Sequence, residues 1–270
     1  MKLSEIRKEA RGALTGKWGK GVCIVLAYLV IAFSIGFITG LFGEESVVGT
    51  ILSIVELIIT VPLSFGFALA FLKLKRNEDI KAFGFIDLAV DNFSKAWKIA
   101  GRTLLKMILP IIVLVVVCLI YVLTNIYVFG GVIAGDLSLT LTEVEFAVQI
   151  SIVIYFVLYI AAIIYMVSVL LLYSLTTYIA YDNKEKTALE VVNESVKLMK
   201  GNRWKIILLE LSFVGWAILG IFTFGIGYLW LFPYMVIAEI CFYERLAQPK
   251  NNEEDQVKEE PFNEGPIQEM

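Results

Sequence analysis

Two carboxylates, Glu210 and Glu239, interrupt an otherwise apolar stretch near the end of the chain. Each lies little more than one helical turn from the charged end of its apolar segment, so each would lie about 7–8 Å inside a membrane helix. Lys106 lies at a comparable depth in another apolar segment. A charge in hydrocarbon is costly unless it is paired or hydrated. We therefore expect Lys106 to pair with one of the two glutamates.

This candidate cluster allows two readings, which the sequence leaves open. It is either a polar site for an ion, a proton or a lipid headgroup, or a structural ion pair that holds membrane helices together. A fourth candidate, Glu56, has no basic residue at its depth, so we expect it to line water or to be protonated. Pro62, Pro110 and Pro233 lie in three apolar segments, where each is expected to kink its helix.

Most catalytic residue patterns are missing from the sequence. The chain has no histidine, which removes the commonest general base and metal ligand at neutral pH. Its three cysteines, Cys23, Cys118 and Cys241, lie in separate apolar runs and fit neither a zinc site nor a disulfide framework. Nucleotide-binding, metalloprotease and serine-hydrolase motifs are also absent. We therefore expect that the protein is not an enzyme and that it binds no metal and no cofactor.

The composition indicates a membrane protein with several spans. The chain has 270 residues, of which 59% are hydrophobic, whereas an ordinary soluble domain has about 45–50%. The excess falls in runs that approach or exceed the roughly 20 residues that a spanning helix needs. We expect an all-α fold of six transmembrane helices, arranged as three hairpins, in a membrane domain over residues 1–246. The expected spans are 21–42, 47–72, 104–129, 147–180, 205–222 and 228–244.

The connections between these spans alternate in charge. Segments 1–20, 73–103 and 181–205 are rich in Lys and Arg, whereas 43–46, 130–146 and 223–227 contain none. The positive-inside rule then predicts that both termini are cytoplasmic. Three tryptophans precede spans one, three and five and are expected to anchor the inner interface: Trp18, Trp97 and Trp204.

The basic connections also have helical apolar periodicity. Apolar residues follow one helix face over 82–98, and Thr187 and Glu190 have the spacing of a capping box in the segment 187–200. We expect interfacial amphipathic helices whose apolar faces lie in the lipid headgroups. Because each such segment is followed by a tryptophan and two spans, the sequence also suggests an internal threefold repeat. The acidic, proline-containing tail over 247–270 is expected to be disordered.

The C-terminal run "MKGNRWKIILLELSFVGWAILGIFTFGIGYLWLFPY" and the following "FYERL" resemble the bacterial family called domain of unknown function nine-seven-five. The N-terminal "SEIRKEARGALTGKWGKGV" is similar to the start of the same family, so the resemblance covers residues 1–246. The matching positions are Met199, Gly201, Trp204, Ser212, Gly215, Trp216, Gly225, Gly227, Trp230, Pro233 and Tyr234.

The resemblance implies a bacterial membrane protein with several spans and no assigned activity. The family's layout is distantly similar to the membrane domain of some bacterial glycerophosphodiester phosphodiesterases. This analogy suggests lipid handling or a scaffold role, and it carries over no catalytic residue.

The sequence therefore favours a non-enzymatic scaffold or accessory factor in the bacterial cytoplasmic membrane. The alternative is a small transporter or lipid-handling protein that uses the intramembrane glutamates. The lipid bilayer is the expected partner, and either another membrane protein or a second copy of the chain remains open. Nucleic acid is not expected, because the basic connections lie beside the membrane.

Overall fold

A computed structural model describes residues 2–43, 46–134 and 141–248, and this part of the chain contains helices and no strand. The all-α prediction is therefore confirmed for the described residues. The helices are α1 (Leu3–Leu14), α2 (Trp18–Leu41), α3 (Val47–Lys75), α4 (Gly84–Asp91), α5 (Phe93–Ala134), α6 (Leu141–Leu170), α7 (Thr176–Asp182), α8 (Ala188–Met199), α9 (Arg203–Leu211), α10 (Val214–Phe222) and α11 (Tyr228–Ala247), with a 3₁₀ turn at Leu171–Tyr173. Most of the expected acidic tail lies outside the described residues.

Five helical stretches are long and apolar enough to cross a membrane: Trp18–Leu41, Val47–Lys75, Phe93–Tyr127, Val148–Asp182 and Arg203–Phe222. They coincide with the first five expected spans. The sixth expected span, in α11, is not among them, since its C-terminal half carries Glu239, Glu244 and Arg245. Along the chain, α2 packs against α3, α5 against α6, and α10 against α11.

The boundaries of several helices differ from those predicted from the sequence. Helix α5 continues to Ala134, where the sequence suggested a loop from residue 130. Segment 82–98 forms two helices rather than one, because the Asn92 side-chain amide donates to the Leu88 carbonyl at 2.9 Å where α4 ends. The fifth span breaks after α9, where the Ser212 hydroxyl donates to the Leu209 carbonyl at 2.6 Å.

Buried side chains concentrate in one region, which we call the packed end. It comprises α1, residues 62–75 of α3, α4, α7, α8 and α11. Ile6, Phe71, Phe85 and Phe242 are fully buried there. The rest of α3, the outer part of α2, and most of α5 and α6 expose large apolar side chains, the surface expected where lipid rather than water covers the protein.

The packed end contains the segments that were expected to be interfacial helices. In α8, Val191 and Val192 are buried against neighbouring helices. In α4, Phe85 and Ala89 are buried against α3, and a Cβ added at Gly66 would lie 2.2 Å from the Phe85 carbonyl oxygen. The sequence correctly indicated which faces are apolar. In the structure other helices of the same chain, rather than headgroups, cover much of those faces.

Candidate functional site

The structure brings together two of the four residues of the expected cluster. Glu239 on α11 and Glu210 on α9 are both partly buried, on helices that pack against each other. The Tyr178 hydroxyl of α7 donates to Glu239 Oε2 at 3.3 Å. Tyr178 is nearly fully buried, and the charge of Glu210 lies close enough to act on both residues. We call Tyr178, Glu210 and Glu239 the carboxylate cluster.

Lys106 and Glu56 do not join this cluster. Lys106 is exposed on α5, and no ion pair among the described residues includes it. Glu56 instead accepts a hydrogen bond from Thr39 Oγ1 at 2.8 Å, between α2 and α3. Glu239 therefore meets a tyrosine rather than the expected lysine.

The three tryptophans have different surroundings. The Trp18 ring packs on the Tyr234 ring with centroids 6.4 Å apart. Trp97 Nε1 donates to the Ile58 carbonyl at 3.2 Å, which ties α5 to α3. Trp204 is 74% exposed, which suits a residue at a lipid interface.

The three prolines lie inside continuous helices, and all three are buried. A Cβ added at Gly21 would lie 3.2 Å from Pro233 Cβ. Pro233 therefore marks a close approach of α2 to α11, in addition to its expected effect on the helix axis.

A second polar group, which the sequence did not indicate, joins four helices of the packed end. We call it the ion network; its members are Glu5, Glu9, Lys75, Arg76, Asp182, Tyr243, Glu244 and Arg245. Arg76 binds Asp182 through two nitrogens, at 2.6 and 2.9 Å, and Glu244 through Nε at 3.2 Å. Lys75 also contacts Glu244. The ends of α3, α7 and α11 are thereby joined.

Helix α1 joins the same network through its two acidic residues. Arg245 reaches Glu5 at 3.1 Å and Glu9 at 3.0 Å, and Lys75 reaches Glu9 at 3.2 Å. Burial opposes ionisation of Glu9, but Lys75 and Arg245 outweigh it and lower the pKa of Glu9. Hydrogen bonds to Asp182 and Glu244 raise the pKa of Arg76 against the opposing effect of burial.

A family model described as "Protein of unknown function (DUF975)" matches residues 1–250. The chain belongs to this family. No curated protein and no solved structure matches it. The DUF975 match covers the carboxylate cluster and the ion network alike, so both lie within the family's domain.

The two polar groups of this DUF975 chain differ in chemistry. In the ion network every charge has an opposite partner, so it forms a joint between helices. The carboxylate cluster has no cation in hydrogen-bond contact among the described residues and could exchange a proton or accept a hydrogen bond. No group of three or more His, Cys, Asp or Glu in the described part of the chain is arranged to hold a metal ion.

Proposed function

We propose that this DUF975 protein is a non-enzymatic scaffold or accessory factor of the bacterial cytoplasmic membrane. Its six spans form three hairpins, and both termini lie in the cytoplasm. The observation that carries the proposal is the packed end, where connections from distant parts of the chain fold into one body. Within that body, the ion network joins α1 and α7 to the ends of α3 and α11.

The proposed orientation follows from the charge of the packed end. The basic connections contribute α1, α4 and α8 to it, and in the proposed topology the connections without Lys or Arg lie at the other ends of the spans. Basic connections remain in the cytoplasm. The packed end is therefore the part of the protein that faces cytoplasmic partners.

A scaffold must present a fixed surface, and the packed end supports this. The ion network pairs charges of four of its helices, and its side chains from α1, α8 and α11 are closely packed. A rigid surface loses little conformational entropy when a partner binds. The exposed polar residues of α8, such as Asn193 and Lys197, are available for that contact.

Cysteine labelling tests the orientation. In a background without Cys23, Cys118 and Cys241, we expect Lys2→Cys to react with a membrane-impermeant maleimide only after the cells are opened. Ile226→Cys, in a turn without basic residues, should react in intact cells. The reverse pattern would refute the proposed orientation.

Native mass spectrometry of the gently extracted protein tests the scaffold role. We expect a stoichiometric protein partner that is lost in Lys197→Glu/Lys200→Glu, a pair of exposed positions on or beside α8. The partner should remain in Glu210→Gln/Glu239→Gln, which changes the carboxylate cluster only. Loss in the second variant but not in the first would contradict the scaffold role.

The carboxylate cluster favours a second candidate, a small transporter or lipid-handling protein. Two partly buried carboxylates without a cation partner are a common arrangement for proton exchange in a membrane. In this case Glu210→Gln/Glu239→Gln should abolish flux in proteoliposomes while the unfolding temperature stays close to that of the wild type. Wild-type flux in the variant would exclude this role for the glutamates.

A further inference from the structure

A groove of about 690 Å³ opens between α1, the start of α2, α10 and α11. This volume lies in the range of ordinary small-molecule sites. Its polar lining includes Ser4, Arg7 and Arg11 of α1, and its apolar lining includes Trp216, Leu219 and Trp230. The carboxylate cluster and the ion network contribute no residue to it.

The periodicity of α1 explains why the arginines face this groove. One stripe of the helix, which includes Ile6, Ala10 and Leu14, is fully buried in the packed end. A second stripe, Glu5 and Glu9, is held by Arg245. Ser4, Arg7 and Arg11 are spaced three and four residues apart, so they share the remaining face.

The groove carries positive charge without a compensating acid. Neither Arg7 nor Arg11 forms an ion pair among the described residues, and none of the residues that line the groove is acidic. The Tyr234 hydroxyl donates to the Arg7 carbonyl at 3.3 Å, which fixes the main chain of α1 against α11. Two arginines four residues apart suit the oxygens of a phosphate, because guanidinium groups bind phosphate through paired hydrogen bonds.

The other half of the groove is apolar and follows a membrane-spanning stretch. Trp216, Leu219 and Gly220 lie on α10, which is part of the apolar stretch Arg203–Phe222. Trp216 is 63% exposed and Trp230 is 49% exposed. A ligand whose phosphate meets Arg7 and Arg11 would therefore lay an apolar chain along α10, on the lipid side of the protein.

We infer that this groove binds an anionic phospholipid from the bilayer, with its phosphate at Arg7 and Arg11 and an acyl chain along Trp216 and Trp230. Charge complementarity identifies the headgroup, and the apolar half distinguishes a lipid from a free phosphate. The inference does not depend on the scaffold role, because the groove and the exposed face of α8 use different residues.

Native mass spectrometry of the full chain with added lipid tests this site. The probes are dioleoylphosphatidylglycerol and dioleoylphosphatidylcholine at equal concentration. We expect the wild type to prefer phosphatidylglycerol by about tenfold, because both lipids offer a phosphate to Arg7 and Arg11 but the choline cation of phosphatidylcholine cancels its net charge. Arg7→Gln/Arg11→Gln should bind both lipids equally. Lys2→Gln/Lys8→Gln removes the same charge from two exposed positions, one just before α1 and one within it, that do not line the groove, and it should keep the preference within about twofold.

Two further measurements separate the parts of the site. Trp216→Ala should weaken both lipids to a similar degree, because it removes acyl-chain contact only. If Arg7→Gln/Arg11→Gln does not fold, Arg7→Lys/Arg11→Lys should bind both lipids more weakly and keep the preference for phosphatidylglycerol, since lysine keeps the charge but not the paired hydrogen bonds. Three results would overturn the inference. They are equal binding of both lipids by the wild type, a loss of the preference in Lys2→Gln/Lys8→Gln as large as in Arg7→Gln/Arg11→Gln, and displacement of the lipid by equimolar inorganic phosphate.

Discussion

At Glu239, a hydrogen bond and a like charge act in opposite directions. The Tyr178 hydroxyl stabilises the carboxylate, whereas Glu210 repels it, and no cation in hydrogen-bond contact offsets the cost of burying the charge. Glu239→Gln keeps an acceptor for Tyr178 and removes the repulsion. We therefore expect the unfolding temperature of the detergent-solubilised protein to stay the same or to rise. A clear decrease would indicate an ion pair at Glu239.

Tyr178→Phe is the matched variant for this prediction. It leaves Glu239 without its donor, and because Glu239 is only partly buried, we expect a cost no greater than the roughly 1–3 kcal/mol of an unsatisfied buried acceptor. We expect a lower unfolding temperature in Tyr178→Phe and partial recovery in Tyr178→Phe/Glu239→Gln. If Tyr178→Phe unfolds at the wild-type temperature, the hydrogen bond contributes nothing measurable.

Arg76 gives the residue-scale test of the ion network. Its two nitrogens meet both oxygens of Asp182, a geometry that lysine cannot reproduce. We expect Arg76→Lys to lower the free energy of unfolding by about 1–2 kcal/mol. The control is Lys20→Gln, which removes the ion pair between Lys20 and Asp79. The side chains of Lys20 and Asp79 are 57% and 89% exposed, so this pair should contribute little to stability. Equal effects of the two substitutions would contradict a structural role for the network.

At the scale of elements, the contact of α4 with α3 depends on Gly66. A Cβ there would lie 2.2 Å from the Phe85 carbonyl oxygen and 2.7 Å from the Ala89 nitrogen, both of which belong to a helix backbone that cannot yield locally. We expect Gly66→Ala to destabilise the protein by about 1–3 kcal/mol and to make the 76–83 connection more sensitive to protease.

Gly101 in α5 provides the control for this substitution. A Cβ at Gly101 meets nothing within 4 Å, and alanine favours a helix over glycine by about 0.5–1 kcal/mol. Gly101→Ala should therefore leave the protein as stable as the wild type or slightly more stable. Similar protease sensitivity in both variants would show that α4 does not rely on close approach to α3.

Local elements were readable from the sequence, because their determinants lie within a few residues. The capping box of α8 is confirmed: Glu190 N donates to Thr187 Oγ1 at 3.4 Å, and Thr187 N donates to Glu190 Oε2 at 2.8 Å. The breaks at Asn92 and Ser212 were missed. There a single side chain competes for a helix carbonyl within an otherwise continuous apolar pattern.

At the scale of the whole molecule, sequence patterns predicted the five helical stretches that are long and apolar enough to cross a membrane, but not what covers the amphipathic helices. Periodicity identifies an apolar face, and it does not tell whether lipid or protein lies against it. The ion network could not be predicted from the sequence either, since the partners of Arg76 lie 106 and 168 residues away along the chain. For the same reason Lys106, at a similar depth, was the expected partner of Glu210 or Glu239, whereas the structure places Tyr178 beside Glu239.

The network should make the stability of the whole packed end depend on pH. The pKa of Glu9 is lowered in the folded protein from an ordinary value of 4.5, so the unfolded chain binds a proton more readily than the folded one. The stabilisation is therefore fully present above about pH 5 and is lost as the pH falls through the lower folded pKa. Thermal unfolding between pH 7 and pH 3 measures this loss.

Glu9 contacts both Lys75 and Arg245, so its protonation loosens α1 from α3 and α11 together. We expect Glu9→Gln to be less stable than the wild type at pH 7 and to lose less stability on acidification, so that the two curves converge at low pH. Asp91→Asn, at an exposed residue of α4, should follow the wild-type profile. The stability curves of Glu9→Gln and the wild type can converge at low pH only if the stabilisation that acid removes comes from the ionised form of Glu9. Parallel curves would therefore show that other carboxylates control the acid response.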